Sequence, residues 1–253
     1  MKQDGMKKGL IKSLLEKLLK GKDRMGESIV EKRMAGEDEV IKEVVKSIKR
    51  GKEDKEAFDR LKEINEQRKR EVGEEKAEYL GAELMRECKK ASFSDLAKVV
   101  KLIAQGADIE IKDEYDETPL GWAAQNGHLK LLKALIGAGA NVNAKDMFGD
   151  SVLLISAEEG HWKVVKELIK AGANIDSKGD EGYTALMRAA ENGHLKIVKE
   201  LLDAGANPLI KNYFGETTAD VAKTEEIREV IKKHIENVRK SSFETFEKWE
   251  KEA

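Results

Sequence analysis

Apolar residues fall at helical spacing along almost the whole chain. Leu10, Ile11, Leu14, Leu15, Leu18 and Leu19 form a first stripe, flanked by Lys7, Lys8, Lys12, Lys17, Lys20 and Lys22. Val40, Ile41, Val44, Val45 and Ile48 form a second. From Lys52 to Val72 the stripe thins to Phe58, Leu61, Ile64 and Val72, and EQRKREVGEEK reads as a solvated helical connector. Beyond residue 80 the apolar blocks are short and regular. LKLLKALI, WKVVKELI and LKIVKELL each predict a helix with one buried stripe, and each is followed by a glycine that can close it.

These blocks recur at a fixed period. Gly-His stands at 127–128, 160–161 and 193–194, and a second ladder runs through Gly106, Gly139, Gly172 and Gly205; each step is 33 residues. TPLGWAAQN, SVLLISAEE and TALMRAAEN precede the Gly-His pairs. Thr118, Ser151, Thr184 and Thr217 stand where a hydroxyl caps a helix, and Pro119 follows at a position that tolerates its missing N–H. His128, His161 and His194 therefore hold one repeated position. Spread one repeat apart, they cannot converge on a single substrate, so they read as scaffold. His234 has no acid–base partner at helical spacing.

T-P-L-x-x-A-A-x-x-G-H, an apolar helix and then G-A-(N/D) resembles the ankyrin repeat. The resemblance covers residues 80–237 and implies an all-α solenoid of about five repeats, three full ones between two caps. It implies helix–turn–helix units joined by short β-hairpin fingers. It also implies that the histidine ties its turn to neighbouring backbone by hydrogen bonds. Residues 1–79 form a charged helical region before the repeats, and residues 238–253 a helical tail. Two departures stand out: Gly121 replaces the usual histidine of T-P-L-H, and SVLLISA lacks both the proline and the first alanine.

Composition narrows the function classes. Charged residues make up 38% of the chain against 40% hydrophobic, which fits long solvated helices. Net charge is −2; residues 1–79 carry 22 bases against 19 acids, so neither half has the basic bias of a nucleic-acid binder. Cys88 is the single cysteine, which excludes an internal disulfide and a cysteine-built zinc site; it reads as a small core residue. No phosphate-cradling glycine loop, metal-ligand cluster or nucleophile–base pair emerges, so no cofactor and no catalytic residue are expected. Without a membrane-spanning run or a signal peptide, the expected location is cytoplasmic.

In the family that the chain resembles, partners meet the hairpin tips and the exposed side of the first helix. Here the tips read DEYDET, DMFGDS, GDEGYT and NYFGET, carrying Tyr115, Met147, Phe148, Tyr183, Tyr213 and Phe214. Aromatic residues are favoured interface anchors. Glu117, Gln125, Asp150, Glu158, Glu181 and Glu191 belong to the same face, with Arg188 its main base. The second helices instead carry Lys130, Lys133, Lys163, Lys166, Lys196 and Lys199, and Lys112, Lys145, Lys178 and Lys211 form a row along the fingers. An acidic inner face with aromatic anchors favours a protein partner with a basic segment.

Two segments stay open. Either the helices of residues 1–79 form a small bundle whose stripes meet and which leans on the first repeat, or the basic first helix lies on an anionic membrane or pairs with another chain. In the tail, Phe243, Phe246 and Trp249 either fold back on the repeats or serve as a docking peptide. The leading functional expectation is a non-enzymatic scaffold for protein–protein interaction. Its alternative is a bacterial type IV-translocated effector with a membrane-attached or active N-terminal segment, because the Glu-rich C-terminus looks like the acidic signals of such proteins. An enzyme using carboxylates within residues 1–79 ranks last.

Overall fold

The computed structural model describes residues 24–51, 54–90 and 95–252, with side chains between residues 36 and 240. The stripe from Leu10 to Leu19 lies outside these residues, as do the side chains of Phe243, Phe246 and Trp249. Among the described residues the chain is helical: α1 (Arg24–Arg50), α2 (Lys55–Val72), α3 (Glu74–Cys88) and α4 (Leu96–Ala104) lead into three helix pairs. These are α5 (Pro119–Gln125) with α6 (Leu129–Gly137), α7 (Val152–Glu158) with α8 (Trp162–Lys170), and α9 (Ala185–Asn192) with α10 (Leu195–Asp203). The short α11 (Thr218–Val221) and the long α12 (Glu225–Glu252) close the array.

Each first helix starts for the same local reason. Thr118, Ser151 and Thr184 accept hydrogen bonds from the N–H groups of Gly121, Leu154 and Met187, and Thr217 joins Asp220 in a capping box. Each ends at a glycine with positive φ: 69° at Gly127, 79° at Gly160 and 85° at Gly193. First helices stack on first helices (α3, α5, α7, α9, α11), and second helices on second helices. Leu131, Leu132, Leu135, Leu153, Leu154, Leu168, Leu186 and the paired alanines lie fully buried between the layers. Ser156, where the other repeats have alanine, is equally buried and donates to the Leu153 carbonyl at 2.9 Å.

The imidazoles link successive repeats. Nε2 of His128, His161 and His194 lies 2.8 Å from the carbonyl oxygens of Lys90, Gln125 and Glu158 respectively, each belonging to the preceding repeat. A Cβ at Gly127 would stand 2.6 Å from the His161 ring, and one at Gly160 would stand 2.7 Å from that of His194. Those glycines are thus needed twice, for φ and for the next repeat's histidine.

The fingers differ from the expected β-hairpins. Among the described residues there is no strand, only an isolated bridge between Lys145 and Ser151. Each finger is a five-residue loop whose first residue donates its N–H to the carbonyl of the last: Asp113 to Glu117, Asp146 to Asp150, Gly179 to Tyr183 and Asn212 to Glu216. In three of them the first side chain also fills the loop. Asp113, Asp146 and Asn212 each accept two backbone N–H groups through Oδ1. Such Asx closure satisfies the backbone locally and leaves no ladder to extend.

Helices α1 and α2 pack on α4 and α6, the second helices of the first two repeats. Val40, Val44, Ile48, Phe58 and Leu61 enter the same continuous core as the repeats. Asn65 fixes the join by donating to the carbonyls of Ile103 (2.6 Å) and Ala107 (3.1 Å). Phe58 lies where a Cβ on Gly137 would have to stand. Cys88 is fully buried, and burial raises its thiol pKa.

Candidate functional site

Five of the six predicted tip residues reach solvent. Tyr115, Met147, Phe148, Tyr213 and Phe214 are between 52% and 74% exposed. The fingers that carry them are bonded side by side: the Met147 N–H donates to the Tyr115 carbonyl and the Tyr213 N–H to the Glu181 carbonyl, both at 2.9 Å. Asp150 bridges the middle pair, its Oδ1 accepting the Asp180 N–H at 2.8 Å. The fingers therefore form one hydrogen-bonded row, with large apolar side chains exposed on the first, second and fourth.

Tyr183 is the exception, at 6% exposure. Its ring packs under the Arg188 guanidinium, 4.0 Å away, which makes it a support and not a tip. Glu117 is buried too, at 8%. Its carboxylate occupies the space that a Cβ on Gly121 would fill, so the loss of the usual side chain at position 121 is answered by a neighbour turning inward. Burial, and then the negative charges of Asp146, Asp113 and Asp150, push its pKa up to about 7. Nothing in the sequence pattern separates Glu117 and Tyr183 from the exposed tips.

The rest of the inner face is acidic and partly sheltered. Gln125, Asp150, Glu158 and Glu191 are half-buried, while Glu181 is exposed. Burial raises the carboxyl pKa of both Asp150 and Glu158, with nearby Arg188 opposing the rise. Arg188 also holds Glu191 at 3.1 Å. Asp113 goes the other way: burial works against its charge, but Lys89, the Trp122 indole and two backbone N–H groups outweigh that and lower its pKa to about 2.

Lysines expected only as surface charge prove structural. Lys145 and Lys178 each reach one repeat onward, donating to the carbonyls of Lys178 (2.8 Å) and Lys211 (2.7 Å). On the outer helices Lys133 pairs with Glu167 at 2.8 Å and Lys166 with Glu200 at 3.3 Å, which reduces the basic character expected there. Sequence reasoning also missed a polar rung. Glu110, Asn143 and Asp176 accept the backbone N–H of Asn141, Asn174 and Asn207 in the following repeat.

A family model described as ankyrin repeats (3 copies) matches residues 84–179 and 120–212. The chain is an ankyrin-repeat protein. None of the curated proteins compared with it matches. Ankyrin repeats are generic protein-interaction modules; of the exposed tip residues, Tyr115, Met147 and Phe148 lie within the matched span, and Tyr213 and Phe214 lie just past its end. Among the described residues no group of three or more His, Cys, Asp and Glu is placed to hold a metal ion. No described helix is long and apolar enough to cross a membrane.

Proposed function

We propose that this ankyrin-repeat protein is a non-enzymatic scaffold that binds a basic, apolar-anchored segment of a partner protein along its fingers and inner face. The observation that carries this reading is the exposed row of Tyr115, Met147, Phe148, Tyr213 and Phe214 beside Glu114, Asp116, Glu181 and the half-buried Asp150, Glu158 and Glu191. Large apolar side chains held out by hydrogen-bonded loops are costly to leave in water and supply anchors when covered. The adjoining carboxylates select and steer positive charge. Because these chemistries sit on rigid loops, little ordering is lost on binding.

The test uses the full chain to select binders from a displayed random peptide library, beside a Tyr115→Ala, Phe148→Ala, Phe214→Ala variant of unchanged helicity and melting. Enriched peptides should combine Lys or Arg with bulky apolar residues. Their affinity should fall at least about ten-fold in the variant and weaken as salt rises. Acidic enriched peptides, or binding retained by the variant, would sink the reading.

A further inference from the structure

The four fingers do not repeat one surface. At the third position of each loop, 33 residues apart, stand Tyr115, Phe148, Glu181 and Phe214, and just before them stand Glu114, Met147, Asp180 and Tyr213. The second and fourth fingers therefore present two large apolar side chains each, and the third presents two carboxylates, all of them exposed. The first offers both kinds, with Tyr115 between Glu114 and Asp116, and does not discriminate. From the second finger to the fourth the order is apolar, acidic, apolar. The Tyr213 ring borders the acidic pair, because it lies against Gly182 of the third finger, where a Cβ would stand 2.7 Å from it.

Backbone bonding limits how a partner can meet this pattern. In the second to fourth fingers the N–H groups of these six residues are already donated. Those of Met147 and Tyr213 go to the carbonyls of Tyr115 and Glu181, and that of Asp180 goes to the Asp150 carboxylate. Those of Phe148, Glu181 and Phe214 go to side-chain oxygens of Asp146, Asp180 and Asn212 within their own loops. A partner strand finds no donor there to pair with, so recognition falls to side chains. Lys145 and Lys178 tie the same fingers together through the carbonyls of Lys178 and Lys211, which fixes their spacing.

That spacing selects a conformation. The fingers follow the stacked helices, and packed helices lie about 8–10 Å apart. A polyproline II segment rises about 3.1 Å per residue with three residues per turn, so every third side chain faces the same way about 9 Å further on. A β-strand turns alternate residues away, and an α-helix takes about seven residues for the same step. Resting on the finger reading above, we infer that the partner segment crosses the tips in the polyproline II conformation, with a Lys or Arg facing Asp180 and Glu181 and a bulky apolar residue three positions to either side. Its core is apolar-x-x-basic-x-x-apolar, in whichever direction the segment runs. The two apolar residues meet Met147 with Phe148 and Tyr213 with Phe214. A conformation without internal hydrogen bonds suits a surface that offers rings and carboxylates in place of backbone donors.

The experiment selects binders with the full chain from displayed random peptides of about 16 residues, where about ten cross all four fingers, and measures synthetic copies in solution. Enriched sequences should share the period-three core. A variant with Asp180→Asn and Glu181→Lys keeps the side-chain oxygen that the Glu181 N–H needs, so its melting should be unchanged. It should weaken these peptides roughly ten-fold, and exchanging their central Lys or Arg for Glu should restore most of that loss while weakening binding to the parent. The Tyr115→Ala, Phe148→Ala, Phe214→Ala variant separates the two readings. An absence of basic, apolar binders, or binders indifferent to that variant, would overturn the finger reading and this inference together. Binders that need the tips but carry their apolar residues at another spacing, such as i and i+7, would overturn the inference alone. So would a central charge indifferent to the third finger.

Discussion

Glu117 shows how one substitution recruits another. Gly121 removes a side chain from α5, the Glu117 carboxyl takes its place, and its pKa moves up to about 7. Because the folded state holds this proton more tightly than the unfolded chain, stability contributed by the neutral acid is present below the ordinary carboxylate range. It is lost as pH rises through about 7. Glu117→Gln should therefore leave thermal stability near pH 4 almost unchanged and raise it at pH 8, by about 2 kcal/mol. Melting curves of both proteins across that range check this, and parallel pH profiles would contradict it. His161 makes a different claim. Its ring faces the Gln125 carbonyl at 2.8 Å and fills the space above Gly127. His161→Ala leaves that carbonyl without its partner and opens a void, for an expected loss of about 2 kcal/mol in urea unfolding. Loss of the same size from His234→Ala, which sits on α12 outside the repeated position, would show that the link between repeats is not the cause.

The helix pairs were legible in the sequence because their determinants are local and repeated. A hydroxyl at Thr118, Ser151 or Thr184 starts a helix, a glycine ends it, and the apolar stripe between needs no distant information. Finger shape was less legible. Asp113, Asp146 and Asn212 are ordinary turn residues in a string, and only the geometry shows each Oδ1 holding two N–H groups in place of a strand ladder. The third finger has Gly179 there and borrows the Asp150 carboxylate from the preceding finger. Asp150 thus serves the scaffold as well as the acidic face, a double use that its position in DMFGDS does not announce. The site was legible in part for the same reason. Tip residues can be listed from register, but Tyr183 and Tyr115 differ in burial because Arg188 covers one of them.

Repeat arrays hold together through nearest neighbours, so a perturbation should spread only as far as its contacts. Helices α1 and α2 touch α4 and α6 and share their core, through Phe58, Leu61 and the Asn65 hydrogen bonds. That these helices lean on the first repeat was an expectation of the sequence, but which residues make the join was not legible, since the apolar stripe of α2 is sparse and its docking surface is spread over residues 96–137. Phe58 is 8% exposed and closes over Gly137, which lacks the side chain that would obstruct it. Phe58→Ala should cost about 3 kcal/mol, as truncation of a buried aromatic does. The cost should be local. Amide hydrogen exchange in α4 and α6 should quicken by about two orders of magnitude, while α10 and the first turns of α12, two or more repeats away, should keep their protection. Equal loss everywhere would mean that the array unfolds as one unit whatever its contacts. Loss confined to α2 would mean that the N-terminal helices rest on the repeats without stabilising them, and the shared core would then contribute little to the stability of the repeats.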